Sequence, residues 1–249
     1  SIDVAHDRDK MSRFDALDQD TETVLNRLRR DGHPEYLKYP ENKSGPILVI
    51  LPERHEDRNF IEANSRALID LKDYVSIFGY ESFSEYSSNP VLRRGQGIND
   101  LDFGTIRDVK QAVDSFARMF YLNQLPLEVY EVRRLTDFSM NKYFKVANVR
   151  LREVWDRLGS NGTDRSWSAY AKKHVALYAE ILPKEYYDAL IDYREEVWLN
   201  RMQAGLIGER PDYSSNKNFV FVACGMGHAA GLKAKAASRG FKAAITYWP

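Results

Sequence analysis

Residues Ile47-Leu-Val-Ile-Leu51 are five consecutive apolar residues, bounded by Gly45-Pro46 on one side and Pro52 on the other. A run this short and unbroken, closed by turn residues, predicts a strand buried on both faces. Such strands belong to parallel sheets covered by helices rather than to half-exposed antiparallel ones. Directly after the run come Glu53, Arg54 and His55, then Glu56-Asp57-Arg58-Asn59. In open α/β sheets, ligands bind in the crevice beyond the carboxyl ends of the strands. A carboxylate and an imidazole two residues apart at that edge suit an acid/base pair or half of a metal site.

The remaining segments are expected to complete the sheet. From Arg13 to Arg30, residues Phe14, Leu17, Val24, Leu25 and Leu28 predict one amphipathic helix or two short ones, stopped by Asp31-Gly32-His33-Pro34. Residues 1–40 read as a helical lead-in, and residues 35–46 as a polar approach to the key strand. Phe60 to Lys72 carries apolar residues at helical spacing, and Tyr74 to Gly79 reads as a second strand. A right-handed crossover is expected to set that strand parallel to the first and beside it. Glu81, in Gly79-Tyr-Glu-Ser-Phe83, then shares the edge with Glu53 and His55.

Residues 84–105 read as an insertion or lid loop, since a structureless loop this long is usually functional. Helices are expected over 106–122, 140–158 and the Tyr-rich stretch to about 190, with a third strand over 125–132. Asp192 to Leu206 reads as a further helix. Phe219-Val-Phe-Val-Ala-Cys224 is a second unbroken apolar strand, running into Gly225-Met-Gly-His228, a helix over 229–239 and a last strand over 241–247. The expected architecture is a single α/β domain over 41–249, a mixed and largely parallel sheet flanked by helices, with a helical insertion at about 84–190.

Composition narrows the function classes. The chain has 249 residues, enough to bury a sizeable core, and its 36 basic and 36 acidic side chains cancel. No net field favours nucleic acid or an anionic membrane surface. The longest apolar runs fall far short of a membrane span, so no transmembrane segment is expected. Cys224 is the only cysteine, which rules out an intrachain disulfide and leaves both a bacterial cytoplasm and secretion as an effector open. The polar start without Met reads as an excised domain or a processed product. No Gly-x-Ser-x-Gly, Walker or His-Glu-x-x-His motif occurs.

Three strand ends therefore carry the candidate chemistry: Glu53 with His55, Glu81, and His228. The competing assignment for each alone is a surface or capping side chain, and their convergence on one edge is what favours a site. Gly225 and Gly227 allow a sharp turn and leave N–H groups available to an oxyanion. Arg194 lies on the helix before the last motif strand and is placed to reach the same edge; its competing assignment is a solvated arginine paired with Glu195 or Glu196. Asp57, Arg58 and Asn59 read as helix-start residues. His6, His33 and His174 read as ordinary surface residues, and Cys224 as packing. The tyrosine stripe Tyr170, Tyr178, Tyr186, Tyr187 and Tyr193 reads as helix packing, with a substrate groove as the minority view.

This arrangement resembles the TIKI/TraB and erythromycin-esterase (EreA-like) superfamily, which carries a Gly-x-x-His after the first strand, a Glu after the second, an Arg in a late helix and a closing Gly-x-x-His. The matching positions are Pro52-Glu-Arg-His55, Glu81, Arg194 in Tyr-Arg-Glu-Glu-Val-Trp, and Gly225-Met-Gly-His228. The resemblance runs from about Ile47 to Tyr247. Pro52 departs from it, because a proline stands where the first motif has glycine and removes a backbone donor. The same fold serves bacterial toxin domains that cleave a small GTPase, so a toxin or effector role is implied as a further possibility.

The expected function is a hydrolase that cleaves a peptide or ester bond, in a protein or small-molecule ester substrate. Glu53 or Glu81 would act as general base, His55 and His228 would polarise the carbonyl or protonate the leaving group, and Arg194 would stabilise the oxyanion. A metal version, with one divalent ion on His55, His228 and Glu81, and a metal-free version both fit. The alternative is a catalytically inactive binding or regulatory domain that keeps the fold, with Pro52 as its motivating feature.

Overall fold

A computed structural model of the chain describes residues 18–54, 57–83, 124–128, 141–160, 166–207 and 218–249. The first described helix, α1 (Gln19–Asp31), shows why its sequence folds locally. Asp18 caps it by accepting from the Thr21 N–H at 2.8 Å, acidic Asp20 and Glu22 sit in the first turn, and Arg29 and Arg30 sit in the last. Both charge placements complement the helix dipole. Val24, Leu25 and Leu28 form its buried stripe.

After α1 the chain runs through β1 (His33–Lys38), β2 (Ile47–Glu53), α2 (Arg58–Asp70), β3 (Val75–Phe83) and β4 (Gln124–Glu128). It continues as α3 (Asn141–Ser160), α4 (Trp167–Ile181), the short α5 (Lys184–Tyr187), a π-turn at Asp188–Asp192, and α6 (Tyr193–Ile207). The last elements are β5 (Phe219–Gly225), a 3₁₀ turn at Met226–His228, α7 (Ala229–Ala236) and β6 (Ala243–Trp248). The six strands form one sheet in the order β1-β6-β2-β5-β3-β4. β1 pairs antiparallel with β6, and every other neighbouring pair is parallel. This is the mixed, largely parallel α/β architecture that the apolar runs predict.

Two expectations are corrected. Residues 33–38, assigned to the lead-in and the polar approach, form the antiparallel edge strand β1, with His33 opposite Trp248 and Lys38 opposite Ala243. Its sequence His-Pro-Glu-Tyr-Leu-Lys has no apolar run, because an edge strand needs only one partner and is often kept charged. Second, β3 is parallel to β2 but not beside it: β5 lies between them. The crossover from β2 to β3 therefore spans one strand position, and the gap is filled from the far end of the chain.

Both faces of the sheet are covered. On one face, Val24 and Leu28 of α1 and Leu68 of α2 pack on Val49, Leu51 and Phe221. On the other, Leu151, Tyr170, Leu199 and Leu232 from α3, α4, α6 and α7 pack on Ile50, Val220 and Val222. All residues of β2, β5 and β6 are buried, which accounts for their continuous rather than alternating hydrophobicity. Among the described residues no helix is long and apolar enough to cross a membrane. The predicted lid at 84–105 and the helix at 106–122 lie outside the described residues.

Candidate functional site

The site is set by the strand order. β5 separates β2 from β3, so the carboxyl ends of all three come together on one sheet edge. Glu53, the last residue of β2, is the register partner of Gly225, the last residue of β5. Glu53 is buried while the next residue, Arg54, is exposed. Glu81 falls where the β3–β4 ladder shifts register, between Tyr80 and Phe83. Such irregularities re-aim a side chain beside a site. His55 lies outside the described residues, and Asp57 caps α2 as expected by accepting from the Asn59 N–H. Pro52 lies beyond the β2–β6 pairing, which ends at Ile50, and its carbonyl accepts from Asn64 Nδ2 at 3.0 Å.

Arg194 is not a solvated helix arginine. Its Nη2 donates to Glu81 Oε1 at 2.6 Å, and the Gly225 N–H donates to Glu81 Oε2 at 2.7 Å. The guanidinium also lies 5.1 Å from the Trp198 ring centroid, a cation–π contact. The π-turn before α6 helps explain how Arg194 comes to face inward. The Tyr193 N–H reaches Asp188 O, five residues back, so this turn holds one residue more than an α-helical turn. Arg194 and Glu195 then enter α6 together, 8% and 0% exposed, one toward β3 and the other toward α7.

Glu195 organises the other half of the site. Its Oε2 lies 2.9 Å from His228 Nδ1, and its Oε1 accepts from Lys235 Nζ at 2.8 Å. Lys235 also reaches Asp192 Oδ1 at 3.3 Å. The His228 ring packs edge-on to Trp198 at 4.5 Å, and its Nε2 lies 3.7 Å from Glu81 Oε1. Burial alone would lower the Lys235 ammonium, but its hydrogen bond to Glu195 and the charges of Glu195 and Asp192 outweigh it and raise its pKa. Burial pushes the Cys224 thiol well up, and the charges of Glu81, Glu53 and Glu195 push it further. Three carboxylates thus surround one buried strand end, compensated by Arg194 and Lys235.

Of the five residues the sequence singled out, Glu81, Arg194 and His228 come together directly, and Glu53 ends the neighbouring strand. Sequence reasoning missed Glu195 and Lys235, assigning Glu195 only as a surface partner of Arg194. One signal was available: His228, Gly231 and Lys235 fall on one helical face, opposite which a carboxylate fits. His174, expected at the surface, is instead partly buried, packed between Tyr170 and Tyr178 and within 3.8 Å of where a Gly227 side chain would begin. His33 is exposed, as expected, and His6 lies outside the described residues.

Among the described residues no three His, Cys, Asp or Glu side chains are arranged to hold a metal ion. Glu81, one of the three expected ligands, has both oxygens committed to Arg194 and Gly225. The described residues therefore do not fit a metal. No family model matches the chain, and no curated protein or solved structure matches it at a significant level.

Proposed function

We propose that the chain is a hydrolase that cleaves a peptide or ester bond with water at the carboxyl edge of β2, β5 and β3. What supports this most is the orientation of His228. One ring nitrogen is tied to a fully buried carboxylate, and the other is directed to the Glu81–Arg194 pair. A carboxylate behind an imidazole is the arrangement by which general acid/base histidines are held in place.

In this reading water attacks the carbonyl carbon while His228 Nε2 takes its proton. The positive charge of Arg194 stabilises the oxyanion, and the carbon–nitrogen or carbon–oxygen bond breaks as His228 returns the proton to the leaving group. Glu53 is the second candidate base. Glu81 is the poorer one, because both of its oxygens already accept hydrogen bonds, and its role is to hold Arg194. The resemblance of the four motif positions to the TIKI/TraB and EreA-like superfamily points to the same reaction class.

The second reading, a binding domain without turnover, is favoured by the closed Glu81–Arg194 pair, which is also what a purely structural ion pair looks like. A panel of peptides and activated esters separates the two. The hydrolase reading expects turnover by the intact chain and a loss of about 10²–10⁴-fold in His228→Ala. Elemental mass spectrometry on protein purified without chelator, beside His228→Ala and His55→Ala, tests the metal version. No turnover on any substrate, with or without added divalent ions, would leave the binding domain.

A further inference from the structure

We infer that Glu195 is the positioning residue of His228, and that α7 is built around its carboxylate, with Lys235 holding one oxygen and Gly231 leaving it room. His228, Gly231 and Lys235 lie three and four residues apart, so an imidazole, a gap and an ammonium line one face of the helix. Glu195 enters that face from α6 and touches all three. Its Oε2 meets His228 Nδ1 at 2.9 Å and its Oε1 meets Lys235 Nζ at 2.8 Å. A Cβ built on Gly231 would overlap Glu195 Oε1.

The arrangement is costly as pure architecture. A buried ion pair is weak evidence for stability, since desolvation offsets its attraction. Lys235 already has Asp192, half exposed, as a partner at the surface and does not need a fully buried one. Glycine inside a helix is less favourable than alanine. It stands here at the position where a side chain would displace the carboxylate. Each of these choices is accounted for if the carboxylate must meet the imidazole in one geometry.

The chemical consequence is a fixed tautomer. A carboxylate held by a lysine is a hydrogen-bond acceptor, so His228 presents its proton on Nδ1 and leaves Nε2 as the reacting nitrogen. Nε2 is the atom that faces Glu81 and Arg194. Trp198 packs edge-on against the ring on that side. Lys235 acts one step further back, through Glu195.

The consequence for turnover rests on the hydrolase reading, whereas the tautomer does not. The first measurement is therefore ¹⁵N NMR of the full chain labelled on histidine, with His228→Gln identifying the His228 signals among the five histidines. The expected result is that the neutral ring carries its proton on Nδ1. A folded wild type in which Nδ1 is bare while Nε2 carries the proton overturns the inference, whatever the substrate screen finds. Glu195→Ala is expected to move the neutral ring toward the Nε2–H form, and an unchanged pattern in that folded variant overturns it too. Should that variant not fold, the wild-type spectrum still decides.

If a substrate is found, Glu195→Ala should lower kcat by about 10²-fold or more with KM nearly unchanged. Lys235→Met should lower it by about 10–100-fold, in the range of partners that act through another residue. Full activity in Glu195→Ala would remove the positioning role and leave the hydrolase reading standing.

Discussion

Arg194 and Glu81, 113 residues apart in sequence, meet at 2.6 Å in an ion pair with less than a tenth of either side chain exposed. The pair ties the end of β3 to the first turn of α6, and the Gly225 N–H ties it to β5. Removing one partner of such a pair strands a buried charge, which costs about 3–5 kcal/mol. Arg194→Ala should therefore lower urea-unfolding stability by about that amount. The double variant Glu81→Leu/Arg194→Met should lose less than Arg194→Ala alone, because no charge is left unpaired. Additive losses would mean that the two side chains do not share the interaction described.

Gly240 has φ +82°, with no atom within 4 Å of where a side chain would begin. Any penalty for substitution there is conformational rather than steric. Gly240→Ala should cost about 1–2 kcal/mol, and Gly240→Asn, which tolerates the left-handed region, should cost less. Thermal melts of the two variants side by side test the order; equal stabilities would contradict it.

Cys224 is fully buried at the end of β5, and burial together with three nearby carboxylates holds its thiol well above its ordinary pKa. Thiolates, not thiols, react with disulfide reagents. In the folded protein Cys224 should therefore be silent to such a reagent at pH 8, and it should react fully once urea unfolds the chain. Rapid labelling without denaturant would show that this strand end is open to solvent.

Asp18 caps α1 and gives one clear dependence on pH. Burial would raise its carboxyl pKa, but hydrogen bonds to the Thr21 N–H and hydroxyl, with Lys242 nearby, outweigh it and lower the pKa. A lowered folded-state value means that the carboxylate stabilises the fold above the unfolded value of about 3.9, and that this contribution is lost as pH falls through the folded value. Asp18→Ala should cost about 0.5–2 kcal/mol at pH 7, and its difference from wild type should shrink steadily below pH 4. A difference that persists at pH 2 would mean that the charge is not what caps the helix.

The strands that form the middle of the sheet were legible because burial on both faces leaves a plain mark, an unbroken apolar run closed by glycine or proline. Ile47–Leu51 and Phe219–Cys224 are of this kind. β1 was not legible, because His33 to Lys38 pairs on one side only and keeps a polar surface. Nor was the neighbour order: right-handed crossover sets the direction of β3 relative to β2 but not how many strands lie between. Within the site, His228 was visible from its place in a glycine-rich strand end, and Arg194 only as a helix residue within reach of that edge, against the competing assignment of a solvated arginine. Glu195 was hidden because a carboxylate next to an arginine in a helix looks like surface charge. A π-turn five residues long lies just before it and leaves no simple period to read.

The position of β5 also bears on how the chain folds. The two strands that flank it are complete by Phe83, yet the Gly225 N–H that meets Glu81 lies 144 residues after Glu81. At ordinary rates of translation that interval is on the order of ten seconds. Until then β2 and β3 have no intervening strand to pair with, and each presents an unpaired parallel edge. Pairings of such long sequence separation close slowly because loop entropy must be overcome first. The same strand that assembles the site is therefore the one whose late arrival exposes the nascent chain to mispairing, and a helper that shields apolar strand edges would act on residues 47–83 before the site is assembled.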